Sequence, residues 1–172
     1  MKAAEIQDLK KTFDGENYVL KGLNLDIEKG DIACIIGFSG TGKSVLLKHL
    51  LGLYKPSSGV ISVLGKNISE LEDSEISSFR CNFGVLFQDA ALFDDMTTLE
   101  NVMFPINEYR KDLSYRERKE LAAEKLDQVG LGKEHFHKLP SQVSGGMRKR
   151  VGLARAIALD PDIILYDEPT TG

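Results

Sequence analysis

Residues 37–47 read GFSGTGKSVLL, and the fold turns on what so many small residues do beside one lysine and one serine. The first eight positions satisfy G-x-x-x-x-G-K-[ST], the phosphate-cradling P-loop pattern, which has meaning only with a strand before it and a helix after it. The sequence predicts both. Residues 31–37, DIACIIG, are almost continuously apolar, as suits a strand buried on both faces of a parallel sheet. From Ser44 to Leu53 the period becomes helical, with Leu46, Leu50 and Leu53 on one face and GLYKPSSG supplying stop and turn signals. Glycines 37, 40 and 42 permit unusual backbone angles and the close approach of a phosphate. The amides of a helix N-terminus and its dipole favour an anion there. Lys43 adds a full positive charge towards the β- and γ-phosphates, and the Ser44 hydroxyl can ligate Mg²⁺. A Gly-rich turn before an ordinary helix is the competing reading, and the strand–loop–helix setting disfavours it.

The flanking sequence is read from that loop outward. AEIQDL, YVL and LNLDI are strand-like pieces before it; GVISVLG and FGVLF (83–87) are strands after it. TTLENVMFP predicts a short helix capped by Thr97 or Thr98 and halted by Pro105. SYRERKELAAEKLDQVGLG predicts a longer one, with Ser114 as cap, Glu117 completing a capping box and glycines 130 and 132 ending it. A further helix from Gly146 to Leu159 carries Met147, Val151, Ala154 and Ala158 on one face, and IILYDE is a short buried strand ending in Asp167 and Glu168. A helix-linked parallel sheet follows. Ligands of such sheets collect at the carboxyl ends of the strands, so Asp167 is a candidate for the Mg²⁺ shell. Glu168 is a candidate general base towards water, against the plainer alternative of a solvated acidic pair before a proline turn.

Composition narrows the class. At 172 residues, 42% hydrophobic and 28% charged, the chain suits one domain of a soluble protein. A net charge of −4 and a pI near 5.4 give no global attraction to nucleic acid or anionic lipid. The apolar runs are too short to span a bilayer, and MKAAEIQDLKK has no apolar signal core, so a cytoplasmic location is expected. Cys34 and Cys81 lack ligand spacing and are expected as reduced thiols. His49 is expected on the helix after the loop, and His135 and His137 in a surface turn with little claim to a metal.

PSQVSGGMRKRVGLARAIALDPDIILYDEP (140–169) places Ser144-Gly145-Gly146 at the start of a helix some twenty residues before the Asp-Glu pair. With the P-loop upstream, this resembles the ATP-binding-cassette (ABC) ATPases over the whole chain. The resemblance implies an α/β P-loop core with a mainly parallel sheet, an N-terminal antiparallel β portion and a helical insertion. The core would comprise 1–89 and 146–172, and the helical subdomain with its signature about 90–145. It implies that ATP and Mg²⁺ are held by Gly37, Ser39, Gly40, Thr41, Gly42, Lys43, Ser44 and Val45, with Asp167 and Gln88 on the metal. Glu168, Gln88 and Lys43 would serve catalysis. Phe13 would stack on adenine, with Tyr18 as competitor and core packing as the plain alternative for both. Ser144, Gly145 and Gly146 would face the γ-phosphate of a second ATPase subunit packed head to tail, and integral-membrane permease subunits would complete the assembly at the inner face of the membrane. No nucleic-acid partner is implied.

GFSGTGKSV, LFQDAALFDDMTTLENV and SGGMRKR resemble most the branch serving bacterial lipid transport, of Mla and Mce type. The usual signature has Leu first and Gln last, where Val143 and Met147 stand here. Met147 cannot donate as an amide does, which leaves Ser144 and backbone amides. In the family YDEPTTG leads on to a Leu-Asp interface loop, further strands and a switch histidine; these lie past Gly172, and none of the three histidines present fits the switch position. The expectation is ATP binding that survives better than turnover. A non-transport ABC ATPase or a small P-loop kinase is the alternative; the single acidic cassette counts against the first and the SGG helix against the second. The run Arg148-Lys149-Arg150, with Arg155, is expected as a solvated helix face rather than a phosphate patch. Leu92, Phe93, Met96, Met103 and Phe104 are read either as core of the helical insertion or as an exposed groove for a permease helix.

Overall fold

The computed structural model describes residues 2–87 and 90–167. The chain packs as two compact units, Met1–Arg80 and Cys81–Gly172. In the first, β1 (Lys2–Thr12) and β2 (Tyr18–Glu28) pair antiparallel, from Lys2 opposite Glu28 to Thr12 opposite Tyr18. On the other side of β1 lies β3 (Ser58–Val63), also antiparallel, followed by the short β4 (Lys66–Asn67), so the sheet order is β2-β1-β3-β4. Ile6, Leu9, Ile61 and Val63 are buried, each contributing about 1.5–3 kcal/mol by leaving water. The helix predicted after the loop is α1 (Lys43–Leu50), with Leu46 and Leu50 buried and Leu53 beyond its end and exposed. Its stop is a Schellman motif: Gly52, at φ 63°, donates its N–H to the His49 carbonyl (2.9 Å), and Leu53 donates to Lys48 (2.8 Å). Then α2 (Asp73–Phe79) buries Ile76 and Phe79, and Arg80 at its end donates to the carbonyls of Leu51 and Gly52.

One expectation is corrected here. DIACIIG forms no strand: residues 31–38 carry no ladder pairing, Ile32, Ile36 and Phe38 are 99%, 91% and 89% exposed, and Cys34 is exposed as well. Apolar continuity records what a segment would bury, but a strand also needs a neighbour for its N–H and C=O groups. None of β1 to β4 pairs with residues 31–38.

In the second unit β5 (Phe83–Leu86) and β6 (Ile163–Tyr166) pair in parallel, Phe83 opposite Ile163 through Leu86 opposite Tyr166. Three helices come between them in the chain: α3 (Thr98–Tyr109), α4 (Tyr115–Gln128) and α5 (Gly145–Ala156). Leu99, Val102, Met103 and Ile106 of α3 meet Ala122 and Leu126 of α4 and Val151 and Ala154 of α5 in one core. The antiparallel N-terminal sheet, the helices and the parallel pair are the α/β P-loop class expected. Both long helical starts follow their sequence signals: Thr97 caps α3 with Glu100 returning to its N–H (2.8 Å), and Ser114 caps α4 with Glu117 doing the same (2.8 Å). Such boxes stabilise by about 1 kcal/mol. Gly130, at φ 73°, ends α4 in a second Schellman motif, its N–H on Asp127 and that of Leu131 on Leu126.

Pro105 does not halt α3; it lies inside the helix. The missing N–H and the ring clash cost about 3 kcal/mol or more, and the buried stripe on both sides of it, from Leu99 to Ile106, outweighs that. Asn101, fully buried, ties the preceding segment to this helix. Its side-chain oxygen accepts the Phe93 N–H (2.8 Å), and its amide nitrogen donates to the carbonyls of Phe93, Met96 and Thr97 (3.1, 3.0 and 3.0 Å). The Asn101→Ala variant strands those groups away from water and is expected to lose about 2–4 kcal/mol in urea denaturation. A loss under about 0.5 kcal/mol would show that water replaces the side chain.

Candidate functional site

The loop predicted to hold phosphate is built in the first unit. Gly40 and Gly42 adopt φ of 80° and 98°, a region costly to other residues, and a Cβ on Gly42 would press on Leu20 and Val19 of β2 at 3.0 and 3.1 Å. Thr41 donates its hydroxyl to the Phe38 carbonyl (2.8 Å) and its N–H to the same oxygen (3.3 Å), closing the turn. Lys43 arches back, its Nζ donating to the carbonyls of Gly37 (2.8 Å) and Phe38 (3.1 Å). Gly37, Ser39, Gly40, Thr41, Gly42, Lys43, Ser44 and Val45 run as one continuous loop-to-helix turn; the helix expected after the loop is present, and the strand expected before it is not.

The start of α1 differs electrically from those of α2, α3 and α4. Each of the latter carries a glutamate in its first turn closing a capping box, whereas α1 has Gly42 as N-cap, no side-chain cap and no acidic residue in its first turn. No carboxylate of its own first turn opposes its positive dipole end, and the Lys43 ammonium stands beside it. That donor set fits the phosphates of a nucleotide.

Phe13 stands on the turn between β1 and β2, and Tyr18 opens β2; they are 60% and 42% exposed, so neither is core. The turn is pinned by Asp14, whose carboxylate accepts from the Asn17 side chain and from the N–H groups of Glu16 and Asn17 and the Thr12 hydroxyl. Those bonds, that from the Asn17 side chain foremost, hold the Asp14 carboxyl far below the usual carboxylate range. His49, expected on the helix after the loop, is fully buried, with Nδ1 2.7 Å from the Val45 carbonyl and Nε2 without a partner.

In the second unit Asp167 follows β6 and donates its N–H to the Leu86 carbonyl (3.0 Å), extending the parallel register by one residue. Asp167 thus stands at the carboxyl ends of both strands, where the ligand edge of a parallel sheet is expected. Gln88 and Glu168 lie outside the described residues. Ser144 caps α5, its Oγ accepting the Met147 N–H (3.2 Å). Gly145 and Gly146 open that helix with exposed faces: a Cβ on Gly146 would meet nothing within 4 Å, and on Gly145 only Arg148 at 3.7 Å. Neither takes a left-handed φ. Paired glycines in a first turn cost helix propensity, and nothing in the packing of this chain asks for them. Beside them lies a polar cavity of about 380 Å³ lined by Gly132, Glu134, His135, Ser144, Met147 and Arg150 among others. His135 belongs to a short 3₁₀ turn, partly shielded, and its carbonyl accepts the Thr98 hydroxyl.

The basic residues of α5 are not a simple solvated face. Arg148 donates to the Val143 carbonyl (3.1 Å), Arg150 to Gly130 (2.8 Å), and Arg155 to both Ala91 (2.9 Å) and Ala90 (2.6 Å). Ala90 and Ala91 have φ of 58° and 46°, a left-handed pair costing about 1–2 kcal/mol per residue, and the Arg155 fork secures it. For Arg150 the sequence signal is a glycine-ended helix whose last carbonyls need donors. For Arg155 there is none, because its acceptor is 64 positions away. The guanidinium of Arg155 also lies 5.7 Å from the Phe93 ring centre, and Phe93 meets Phe104 at 4.7 Å. Together with Phe87, Pro105 and Leu159 they line an apolar cavity of about 300 Å³ open to solvent. Phe93 and Phe104 are thus groove rather than core, while Met103 is core.

With this geometry in place, the chain can be set beside known proteins. The profile of a family described as ABC transporter matches residues 20–171. The "probable ribonucleotide transport ATP-binding protein mkl" of Mycobacterium leprae is 46% identical over 170 residues, 99% of this chain and 48% of that protein. The "intermembrane phospholipid transport system ATP-binding protein MlaF" of Haemophilus influenzae is 44% identical over 158 residues, 92% and 59% respectively. Among solved structures, the ATP-binding cassette MJ0796, a dimer in a post-hydrolysis state with ADP and Pi, superposes with a TM-score of 0.86 at 38% identity, covering 97% of this chain and 74% of that one. The chain spans about half the length of the curated relatives it matches.

Burial pushes the His49 imidazole below its ordinary pKa of about 6.5, and Lys11 adds to the effect by its charge, while the Val45 and Lys55 backbones oppose it. An unfolded chain then binds the proton more readily, so stability is intact above pH ~6.5 and declines as pH falls through the lower folded value. Urea midpoints measured from pH 7.5 to 5 are expected to fall more steeply for the native protein than for His49→Gln. Parallel curves would show that His49 bears no part of the acid sensitivity.

Proposed function

The chain belongs to the ABC transporter family, and from that premise we propose that it is the ATP-binding and ATP-hydrolysing subunit of a transporter, working as a head-to-tail pair on permease subunits at the inner membrane face. The observation that carries this reading is the loop of residues 37–45: a helix start with no side-chain cap and no acidic residue in its first turn, flanked by an ammonium, with the family match spanning it. Lys43 and the amides that follow it bind and orient the triphosphate, and Phe13 receives the adenine. Ser44, Asp167 and Gln88 would hold Mg²⁺, which would supply charge neutralisation to the phosphates when bound. Glu168 takes the proton of the attacking water, and Gln88 orients that water. Ser144 with Gly145 and Gly146 faces the partner subunit's nucleotide, which accounts for two glycines that the fold itself does not require. No described helix is long and apolar enough to cross a membrane.

The transported class we propose is lipid. The supporting observations are the resemblance of GFSGTGKSV, LFQDAALFDDMTTLENV and SGGMRKR to lipid-transport cassettes, and the phospholipid transport for which the MlaF relative is named. The mycobacterial relative is named for ribonucleotides, which makes ribonucleotides the control cargo. In nanodiscs holding the cognate permease, hydrolysis is expected to rise with phospholipid and not with ribonucleotide; the reverse order would overturn the lipid assignment alone. Lys43→Ala is expected to lower hydrolysis by about 10²–10³-fold, the usual scale for losing an electrostatic stabiliser of the transition state. Undiminished turnover would sink the ATPase reading.

We place the permease contact on the Phe93–Phe104 groove. Phe93 is partly exposed, so a charged side chain there can stay in water. Phe93→Glu is expected to weaken permease association about tenfold with ATP affinity unchanged. Equal loss of both would mark Phe93 as structural only.

A further inference from the structure

Phe13 is more than half exposed, yet it is not loose. Its ring meets that of Tyr54 edge to face, centres 5.4 Å apart and planes at 75°. Lys11 lies over the Phe13 ring at 5.1 Å and over Tyr54 at 5.8 Å, while its Nζ donates to the Lys55 carbonyl at 2.9 Å. Tyr54 is in turn braced from below by His49 at 5.8 Å and flanked by Lys48 at 5.4 Å. His49 and Lys48 belong to α1, the helix that opens with Lys43 and Ser44. The main chain reinforces the array: Tyr54 donates its N–H to the Lys48 carbonyl (3.3 Å), and Ser57 links the strand behind Phe13 by accepting the Thr12 N–H (3.1 Å).

An exposed ring presented for stacking loses affinity if it must be ordered on each encounter, because a freely rotating side chain gives up rotamer entropy when the ligand lands. Here Lys11 lies over the Phe13 ring and Tyr54 meets it edge to face, while the side chain stays more than half exposed. We infer that Tyr54 is a positioning residue for the nucleotide base, fixing Phe13 as a preformed stacking platform and tying it to the helix whose first turn takes the phosphates. This rests on the proposal that Phe13 stacks on the base. Tyr54 acts through Phe13, so its contribution is confined to ligands that carry a base.

The test compares ATP with inorganic tripolyphosphate, which offers the same charge and no ring, by calorimetry on the whole protein. Tyr54→Leu removes the edge contact at a partly buried position. It is expected to weaken ATP binding about three- to tenfold, the range of an aromatic pair, and to leave tripolyphosphate binding as it was. Tyr54→Phe, which keeps the ring, is expected to restore ATP affinity. The protein contains no tryptophan, so Phe13→Trp adds a unique reporter whose quenching by ATP should fall when Tyr54→Leu is combined with it. Unchanged ATP affinity in Tyr54→Leu overturns the inference, as does an equal fall for both ligands, which would make Tyr54 a support of α1 only. Phe13→Leu separates the two levels. If it fails to weaken ATP relative to tripolyphosphate, the stacking role of Phe13 itself is wrong; if it does so and Tyr54→Leu does not, only the positioning role is wrong.

Discussion

A carbonyl left at the end of a helix or in a turn needs a donor, and in this protein the donor is repeatedly a cation. Lys43 closes on Gly37 and Phe38, Arg80 on Leu51 and Gly52, Lys11 on Lys55, Arg150 on Gly130, and Arg155 on Ala90 and Ala91. Charge-assisted bonds of this kind are about twice as strong as neutral ones, and they sit where the helix dipole is negative or where the loop has no ladder to join. Several candidate segments among the described residues are set against one of these joints. The phosphate loop, the turn behind the aromatic platform, the start of the signature helix and the left-handed alanines before the groove take their shapes from them.

Much of the fold could be read from the residues. Capping boxes at Thr97 and Ser114, glycine stops at 52 and 130, and the apolar stripes of α3 and α5 all act over a few positions, and local rules locate them. The P-loop was legible for the same reason. What the sequence could not declare was anything that depends on a distant neighbour. DIACIIG has the composition of a buried strand, but pairing is a property of the sheet and not of the segment. Pro105 reads as a stop because the cost of a proline is local, whereas the burial that overrides it is assembled from three helices. Arg155 and Tyr54 were silent because their partners are brought to them only by folding.

The candidate site was legible in proportion to how much of its chemistry resides in the backbone. Loop residues 37–45 are specified by what glycine permits and by one helix start, so their order along the chain nearly determines their geometry. Aromatic contacts carry no such order. Phe13 and Tyr18 were equal in composition, and only their surroundings, a pinned turn with a second ring against it and the opening of a strand, distinguish them.

Arg155 shows how a forked cation differs from a point charge. Its two terminal nitrogens reach successive carbonyls from fixed positions in one plane, whereas Lys43 brings a single ammonium nitrogen to both Gly37 and Phe38. Because the acceptors are partly enclosed main-chain dipoles and not exposed carboxylates, the joint is largely indifferent to ionic strength, which would loosen surface pairs such as that of Arg116 with Glu120. The piece of chain leading to the groove should therefore keep its form in brine as well as in dilute buffer.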